Sequence, residues 1–392
     1  MSDVKNTILK HGVLSITGEC KGCDRCFKAC PTGAITVNGL GTKHVIDPNK
    51  CVNCGQCLIN CPFDRIKEIS MLDDVRSAIA DPNKHVIVQM APAVRAGLLT
   101  EYKMNDAVSA QNKLYSALRG LGFDTIHDTV FGADLTIMEE GYELIGRINK
   151  VFGMNSDEHA GNLPQFTSCC PGWVRFAELY YPELLPLLST ARSPMMMQGS
   201  CTKAFMPQKI GVAAKDIYNV AIMPCTAKRF EASRPEFIAS GYDDMDAVIT
   251  TRELIQWMKD ENMNFVDLEE GETDPFMGTG SGAGVIFGNT GGVMEAALRT
   301  AYEVLSGQPL QELRIEAVRG QKGVRSATVP IPLKGTDQVL DLKVAIVSGS
   351  QNVHQVAKDA IDGTSEYHFI EVMNCPSGCV NGGGQPIDRT IF

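Results

Sequence analysis

Cys169 and Cys170 stand side by side in Thr167-Ser168-Cys169-Cys170-Pro171-Gly172-Trp173. Adjacent cysteines do not readily chelate one small ion through both sulfurs, so such a pair divides its labour. One thiolate can hold a cluster while the other stays free for proton chemistry. Two further cysteine segments follow, Met223-Pro224-Cys225-Thr226-Ala227-Lys228 and Glu371-Val372-Met373-Asn374-Cys375-Pro376-Ser377-Gly378-Cys379. Cys170, Cys225, Cys375 and Cys379 thus make a dispersed four-thiolate set, with Cys169 to spare. The competing reading is a group of buried structural thiols, since free cysteine is often only a small hydrophobe. Three cysteine segments, each set in Pro- or Gly-bearing turn sequence, argue against it.

Residues 20–30 carry Cys20-x2-Cys23-x2-Cys26-x3-Cys30, followed by Pro31, and residues 51–61 repeat the run as Cys51, Cys54, Cys57 and Cys61, followed by Pro62. This is the bacterial ferredoxin run, in which the fourth cysteine serves the other cluster when two runs are present. It predicts two 4Fe-4S clusters, one on Cys20, Cys23, Cys26 and Cys61, the other on Cys51, Cys54, Cys57 and Cys30. A zinc site would call for CxxC pairs or added histidines. A disulfide framework would call for an oxidising compartment and a small scaffold. Of the 14 cysteines only Cys201 stays outside these groups, and it reads as a core thiol.

The elements that must position these thiols fall into two parts. Residues 1–65 read as an α+β ferredoxin-like domain, with short alternating stretches at Ala34–Val37 and His44–Ile46, and 66–84 as a linker helix. Residues 85–392 alternate strand-like and helix-like segments. Apolar runs at 85–90, 218–223, 343–347 and 367–373 read as buried parallel strands, and helical patterns recur near 107–120, 133–153, 171–181, 251–259, 291–307 and 351–362. The fold class is α/β, with parallel sheets flanked by helices. Cys225 and Cys375 fall just after predicted strands, where open α/β sheets place their ligand sites.

Composition narrows the function. Acidic residues outnumber basic ones by 46 to 36, giving a net charge of −10, and no basic run interleaved with aromatics is present, which excludes a nucleic-acid surface. No apolar run reaches the ~20 residues of a membrane span, and the N-terminus carries no secretory signal. Thiolates in this number imply a reducing, cytoplasmic interior, with export beside a signal-bearing partner as the alternative. Met277–Gly284 is rich in glycine but lacks the lysine of a phosphate loop, so no nucleotide is assigned to it.

The three cysteine segments and the two runs together resemble the catalytic subunit of an FeFe-hydrogenase, over essentially the whole chain. The resemblance implies an H-cluster, a 4Fe-4S cube joined through one cysteine sulfur to a diiron unit carrying CO, cyanide and an azadithiolate. Carried onto this chain, Cys170, Cys225, Cys375 and Cys379 become the cube ligands, with Cys379 as the bridge. Cys169 becomes the thiol that exchanges protons with the diiron unit. Lys228 becomes a donor to cyanide, with Glu231 completing its motif. Met223, Met373 and the Ala91-Pro92-Ala93 loop become contacts around the diiron. Glu140, Glu143, Arg147 and Ser189 correspond to the proton relay. The first three are spaced to share one helix face, which without the resemblance would read as an ordinary solvated ion pair.

The activity so implied is reversible H2 oxidation and proton reduction, linked to a ferredoxin or cytochrome carrier. Bottom-up chemistry agrees less specifically: splitting H2 heterolytically needs a hydride acceptor, a base and an electron exit. Asn374 and Ser377 depart from the family, many members of which carry alanine and glycine there. A polar Asn374 is expected to alter hydrogen bonding to cluster sulfur. Single-chain relatives continue further beyond the last ligand, so a small subunit is expected to complete the wrap, and dedicated maturation proteins are needed for the diiron unit. Two rivals remain: a non-catalytic hydrogenase-like protein of iron–sulfur assembly, and an H2 sensor. Intact Cys169, Lys228 and Gly382-Gly383-Gly384-Gln385-Pro386 weigh against the first. The retained shuttle thiol and the lack of a signalling domain weigh against the second.

Overall fold

The computed structural model describes residues 3–36, 44–153, 160–239, 241–310 and 323–387; Val37, part of one expected alternating stretch, lies outside them. In the N-terminal part, β1 (Leu14–Ile16) pairs antiparallel with β4 (Ile66–Glu68), and β2 (Ile35–Thr36) pairs antiparallel with β3 (Val45–Ile46). Each cysteine run turns into a short helix, Arg25–Ala29 or Gln56–Ile59, through a left-handed residue, Asp24 at φ 58° or Gly55 at φ 75°. The turn wraps the chain tightly enough to bring successive thiols round one space.

Eight more strands follow: β5 (His85–Met90), β6 (Thr125–Asp128), β7 (Gln165–Phe166), β8 (Ile217–Met223), β9 (Ala247–Thr250), β10 (Val324–Pro332), β11 (Val339–Ser348) and β12 (Phe369–Met373). One sheet has the order β6-β5-β8-β9 and is parallel throughout. The other has the order β10-β11-β12-β7, with β11, β12 and β7 parallel and β10 antiparallel on its edge. The expected α/β class with parallel sheets and a ferredoxin-like N-terminal module is therefore what the chain adopts. The strands β6, β7, β9 and β10 are additions, and among them β10 alone is antiparallel. A short turn joins β10 to β11, which forces an antiparallel pair, and Pro330 and Pro332 of β10 are tolerated because an edge strand need not donate outward.

The six anticipated helices form within three residues of their expected bounds, as Ala107–Gly120, Val130–Val151, Pro171–Tyr180, Thr251–Asp260, Gly292–Ser306 and His354–Ile361. The longest that escaped the pattern, Pro194–Ile210, buries Gln198, Thr202 and Lys203 beside Met195, Met196 and Met206 and leaves Phe205 exposed, so no clean apolar stripe marks it.

Two compact units result, Met1–Gly132 with Met195–Gly280 and Val380–Phe392, and Ala133–Pro194 with Ser281–Cys379. In the first, Ile66, Cys57 and Cys61 join the same apolar core as Val86, Val88, Ile222 and Ile249, so the cysteine module packs on the parallel sheet. A buried ionic network reinforces this seam. Glu68 of β4 accepts from Arg229 at 2.9 Å and from Arg252 at 2.6 Å, while Arg229 also pairs with Glu253. Burial alone would raise the Glu68 pKa, but the two guanidinium groups outweigh it and hold the carboxylate below its usual range. Removing a fully buried partner strands the others. Arg229→Ala is expected to cost about 3–5 kcal/mol of stability, read as a lower denaturant midpoint.

In the second unit Leu144, Ile148, Leu298, Val344, Ile346 and Phe369 form the core between helices and sheet.

Candidate metal centres and proton path

The cysteine runs build two cavities. About 340 Å3 of space unfilled by protein atoms is lined by Cys20, Cys23, Cys26 and Cys61, with Ile16, His44 and Phe63. A second, of about 300 Å3, is lined by Cys30, Cys51, Cys54 and Cys57, with Leu14, Ile35 and Ile46. Each cavity takes three thiols from one run and the fourth from the other. Burial pushes the Cys26 thiol up to about 11, and the charges of Cys20, Cys61 and Cys23 add to it. Burial likewise raises Cys57 well above its ordinary value, with Cys54, Cys51 and Cys30 adding. Thiolates gathered so closely repel one another unless a cationic core lies among them, and that donor set suits an iron–sulfur cube. Spacing gave no hint of His44, whose Nδ1 lies 3.3 Å from Cys20 Sγ and whose Nε2 lies 2.8 Å from Asp24.

In the first unit, Cys225 emerges just beyond β8, and Ala91 and Pro92 emerge beyond its parallel neighbour β5, at the same end of the sheet. Ala91 N–H donates to Ile222 C=O at 3.0 Å, and Ala91 packs with Met223, Met195 and Met196. Lys228 is nearly buried, its ammonium 2.7 Å from Glu231. Thr226 donates from its hydroxyl to the Asn53 carbonyl at 2.6 Å, which ties the segment after Cys225 to the second cysteine run. The Gly382–Gln385 turn lies against both, and Gly384 N–H donates to Pro224 C=O at 2.9 Å. Glycine is required there: a Cβ on Gly383 would sit 2.3 Å from the Cys54 carbonyl oxygen.

In the second unit, β7 and β12 are parallel neighbours, so the segments that carry Cys169-Cys170 and Cys375 leave the sheet at the same end. Asn374 N–H points at Cys170 Sγ, 3.5 Å away, and Cys379 N–H donates to Gly288 C=O at 2.8 Å. Cys169 is buried with Met373, Ile137, Phe287, Val293 and Ala296, a dry setting for a thiol. Between the two last cysteines the chain turns through Ser377 at φ 65° and Gly378 at φ 85°. A side chain in that left-handed region costs about 1–2 kcal/mol, partly offset by the entropy a glycine would lose, about 0.5–1 kcal/mol. Ser377→Gly is therefore expected to stabilise the fold by about 0.5–1 kcal/mol, read as a higher melting temperature.

The helix Val130–Val151 carries the acids. Glu140 is fully buried, and its carboxylate accepts from Ser168 N–H at 3.4 Å. Ser189 stands close to Glu140 and donates to Glu143 Oε2 at 2.7 Å. Glu143 Oε1 is 2.6 Å from Arg147, whose guanidinium also donates to the carbonyls of Asn162, Leu187 and Leu188. Burial pushes the Glu140 pKa up to about 8, with the charges of Glu143 and Glu371 adding. Ser189, Glu143 and Arg147 are thus directly bonded to one another, and buried Glu140 stands beside them and the Ser168-Cys169 backbone, so the group is not a solvated ion pair. Cys201, expected in the core, is only partly buried on the helix Pro194–Ile210.

Sequence reading passed over Glu371. It is fully buried, accepts from Gly291 N–H at 2.6 Å and Met294 N–H at 2.7 Å at a helix start, and is pushed up to about 7 by burial. The signal was present: an acid within an apolar strand, four residues before Cys375.

Residues 84–383 match the family described as the iron-only hydrogenase large subunit, C-terminal domain. The chain belongs to that family. Residues 19–65 match a 4Fe-4S dicluster domain. Iron hydrogenase 1 of Clostridium pasteurianum is 46% identical over 94% of this chain and 64% of its own length, so this chain spans less than two thirds of that relative. The periplasmic Fe hydrogenase large subunit of Nitratidesulfovibrio vulgaris is 45% identical over 96% of this chain and 87% of its own. A more distant relative, mouse cytosolic iron-sulfur assembly component 3, is 32% identical over 88% of this chain and 72% of its own. Among solved structures, apo FeFe-hydrogenase HydA1 from Chlamydomonas reinhardtii superposes with a TM-score of 0.72 at 40% identity, covering 81% of this chain and 85% of that one. No helix among the described residues is long and apolar enough to cross a membrane.

Proposed function

We propose that this member of the iron-only hydrogenase family is a working FeFe-hydrogenase, interconverting H2 with two protons and two electrons. The observation that carries the reading is the group of Glu140, Ser189, Glu143 and Arg147 gathered next to Cys169, with Glu140 fully buried. An iron–sulfur protein that only stores or delivers clusters has no use for proton-holding acids buried beside a spare thiol.

Cys170, Cys225, Cys375 and Cys379 would hold the cube of the H-cluster, and Cys379 would share its sulfur with the diiron unit. When bound, that group supplies the redox-active iron at which the H–H bond is broken or made. The chain's own residues manage protons and surroundings. Cys169 takes a proton from the site or returns one to it, and Glu140, kept neutral by burial, exchanges it onward through the Ser189 hydroxyl to Glu143. Arg147 fixes the Glu143 carboxylate. Lys228, held by Glu231, presents a compact cation to an anionic ligand such as cyanide. Met223, Met373, Ala91 and Pro92 would form the apolar wall that keeps bulk water away.

Electrons would pass through the two cubes of residues 1–65, the domain that serves as the electron port, to a ferredoxin or cytochrome carrier. Residues 66–84 would join it to the catalytic domain, 85–392. A small subunit, maturation proteins and a cytoplasmic setting complete the proposal. The test is isotope exchange: matured protein under D2 in ordinary water should release HD and H2. Full loading with cubes and diiron unit but no exchange would favour the assembly-protein reading, which the mouse relative represents.

A further inference from the structure

Asn374 is almost fully buried, at 2% exposure, and its two amide atoms fare differently. Oδ1 accepts from the Ser350 hydroxyl at 2.6 Å, and Ser350 N–H in turn donates to the Asn374 carbonyl at 3.4 Å, so one serine holds both ends of the residue. Nδ2 has no acceptor among the described residues. The amide lies over Gly172, where an added Cβ would come within 3.1 Å of Asn374 Cγ, and Gly172 lies two residues from Cys170. The Asn374 main-chain N–H is directed at Cys170 Sγ at 3.5 Å, and the next residue is Cys375. Exchanging the amide oxygen and nitrogen does not help. It would only leave Oδ1 in place of Nδ2 without a partner, so either orientation keeps one polar atom of this buried amide unsatisfied.

We propose that the Asn374 side-chain amide donates a hydrogen bond to a sulfur of the cube that Cys170 and Cys375 would hold, raising the reduction potential of that cube. The inference rests on the four-cysteine cluster reading given above. A donor at a cluster sulfur stabilises the added electron, so the reduced form gains more than the oxidised form. Asn374 acts through the cluster and is a positioning residue. Ser350 is the anchor that aims it.

The experiment uses the full chain reconstituted with 4Fe-4S cubes and without the diiron unit, titrated with reductant and followed by low-temperature EPR. The two ferredoxin-type cubes serve as internal references. Asn374→Ala is expected to shift the third cube to a more negative potential, leave the other two in place, and remove an exchangeable-proton coupling seen by pulsed EPR in D2O against H2O. Ser350→Ala leaves the asparagine in place but frees its amide, and should give a smaller shift in the same direction; it also keeps the test open if Asn374→Ala does not fold. An unchanged third potential in a folded, three-cube variant would overturn the proposal. Only two cubes in the unsubstituted chain would overturn the cluster reading itself, and the proposal with it.

Discussion

Cys169→Ser is expected to lower H2 turnover by about 10²–10⁴-fold, the range for loss of a general acid–base group, while cube content and fold stay unchanged. The thiol is buried among Met373, Phe287, Val293 and Ala296, so water does not replace it cheaply. Serine keeps the size, but a hydroxyl holds its proton far more tightly than a thiol, whose ordinary pKa is near 8.5. Proton transfer would then stall while ligation by Cys170 persists. Turnover measured with an artificial electron donor isolates this step from the ferredoxin-type module. A variant that loses its cubes along with its activity would instead place Cys169 among the ligands, and one that keeps its turnover would remove it from the proton path.

The second large effect is expected at Glu140, and it carries a pH signature. Its carboxyl stays neutral up to about pH 8 because it is buried and because Glu143 and Glu371 lie near. Proton reduction should therefore hold to near pH 8 and decline as the group ionises, since an ionised Glu140 has no proton to pass. Glu140→Gln keeps the shape but cannot release a proton, and should cost about 10²–10⁴-fold in turnover. Stability reports the same group independently. The raised pKa means that the folded chain keeps a proton that the unfolded chain has released. The contribution is whole below about pH 4.5 and is lost as pH rises to about 8, at about 1.4 kcal/mol per pH unit. Glu140→Gln should flatten that slope in denaturant melts between pH 5 and 8. An unaltered slope would mean that Glu140 is already ionised at neutral pH.

What could be read from the chain alone was whatever is local. The ferredoxin runs declare themselves because three ligands of each cube lie within a few residues, and a proline follows each fourth cysteine. The strands before Cys225 and Cys375 were visible as apolar runs because parallel strands are buried on both faces. β10 was not, since its alternating exposure and its Pro330 and Pro332 resemble a loop until β11 is seen beside it. The helix Pro194–Ile210 was hidden by the polar residues Gln198, Thr202 and Lys203 on its buried side. Contacts between remote segments left no trace in spacing. His44 on Cys20, Thr226 on Asn53, and Glu68 with Arg229 and Arg252 belong to this class. The helix face Glu140–Glu143–Arg147 was legible as a face, but whether it met solvent or core was settled by Ser189 and by the carbonyls of Leu187 and Leu188. Asn374 stood out as a departure, yet its Nδ2, without an acceptor among the described residues, and its anchor on Ser350 are facts of packing.

Infrared absorption of anaerobic, matured protein, as the gas is switched from argon to H2, tests most directly whether this chain works as a hydrogenase. CO and cyanide have sharp stretching bands in a region free of protein absorption. Such bands should be present and should shift on switching, because a site that exchanges protons and electrons with H2 must change its charge. Full loading with cubes and competent maturation, but no such bands or bands indifferent to H2, would contradict that function.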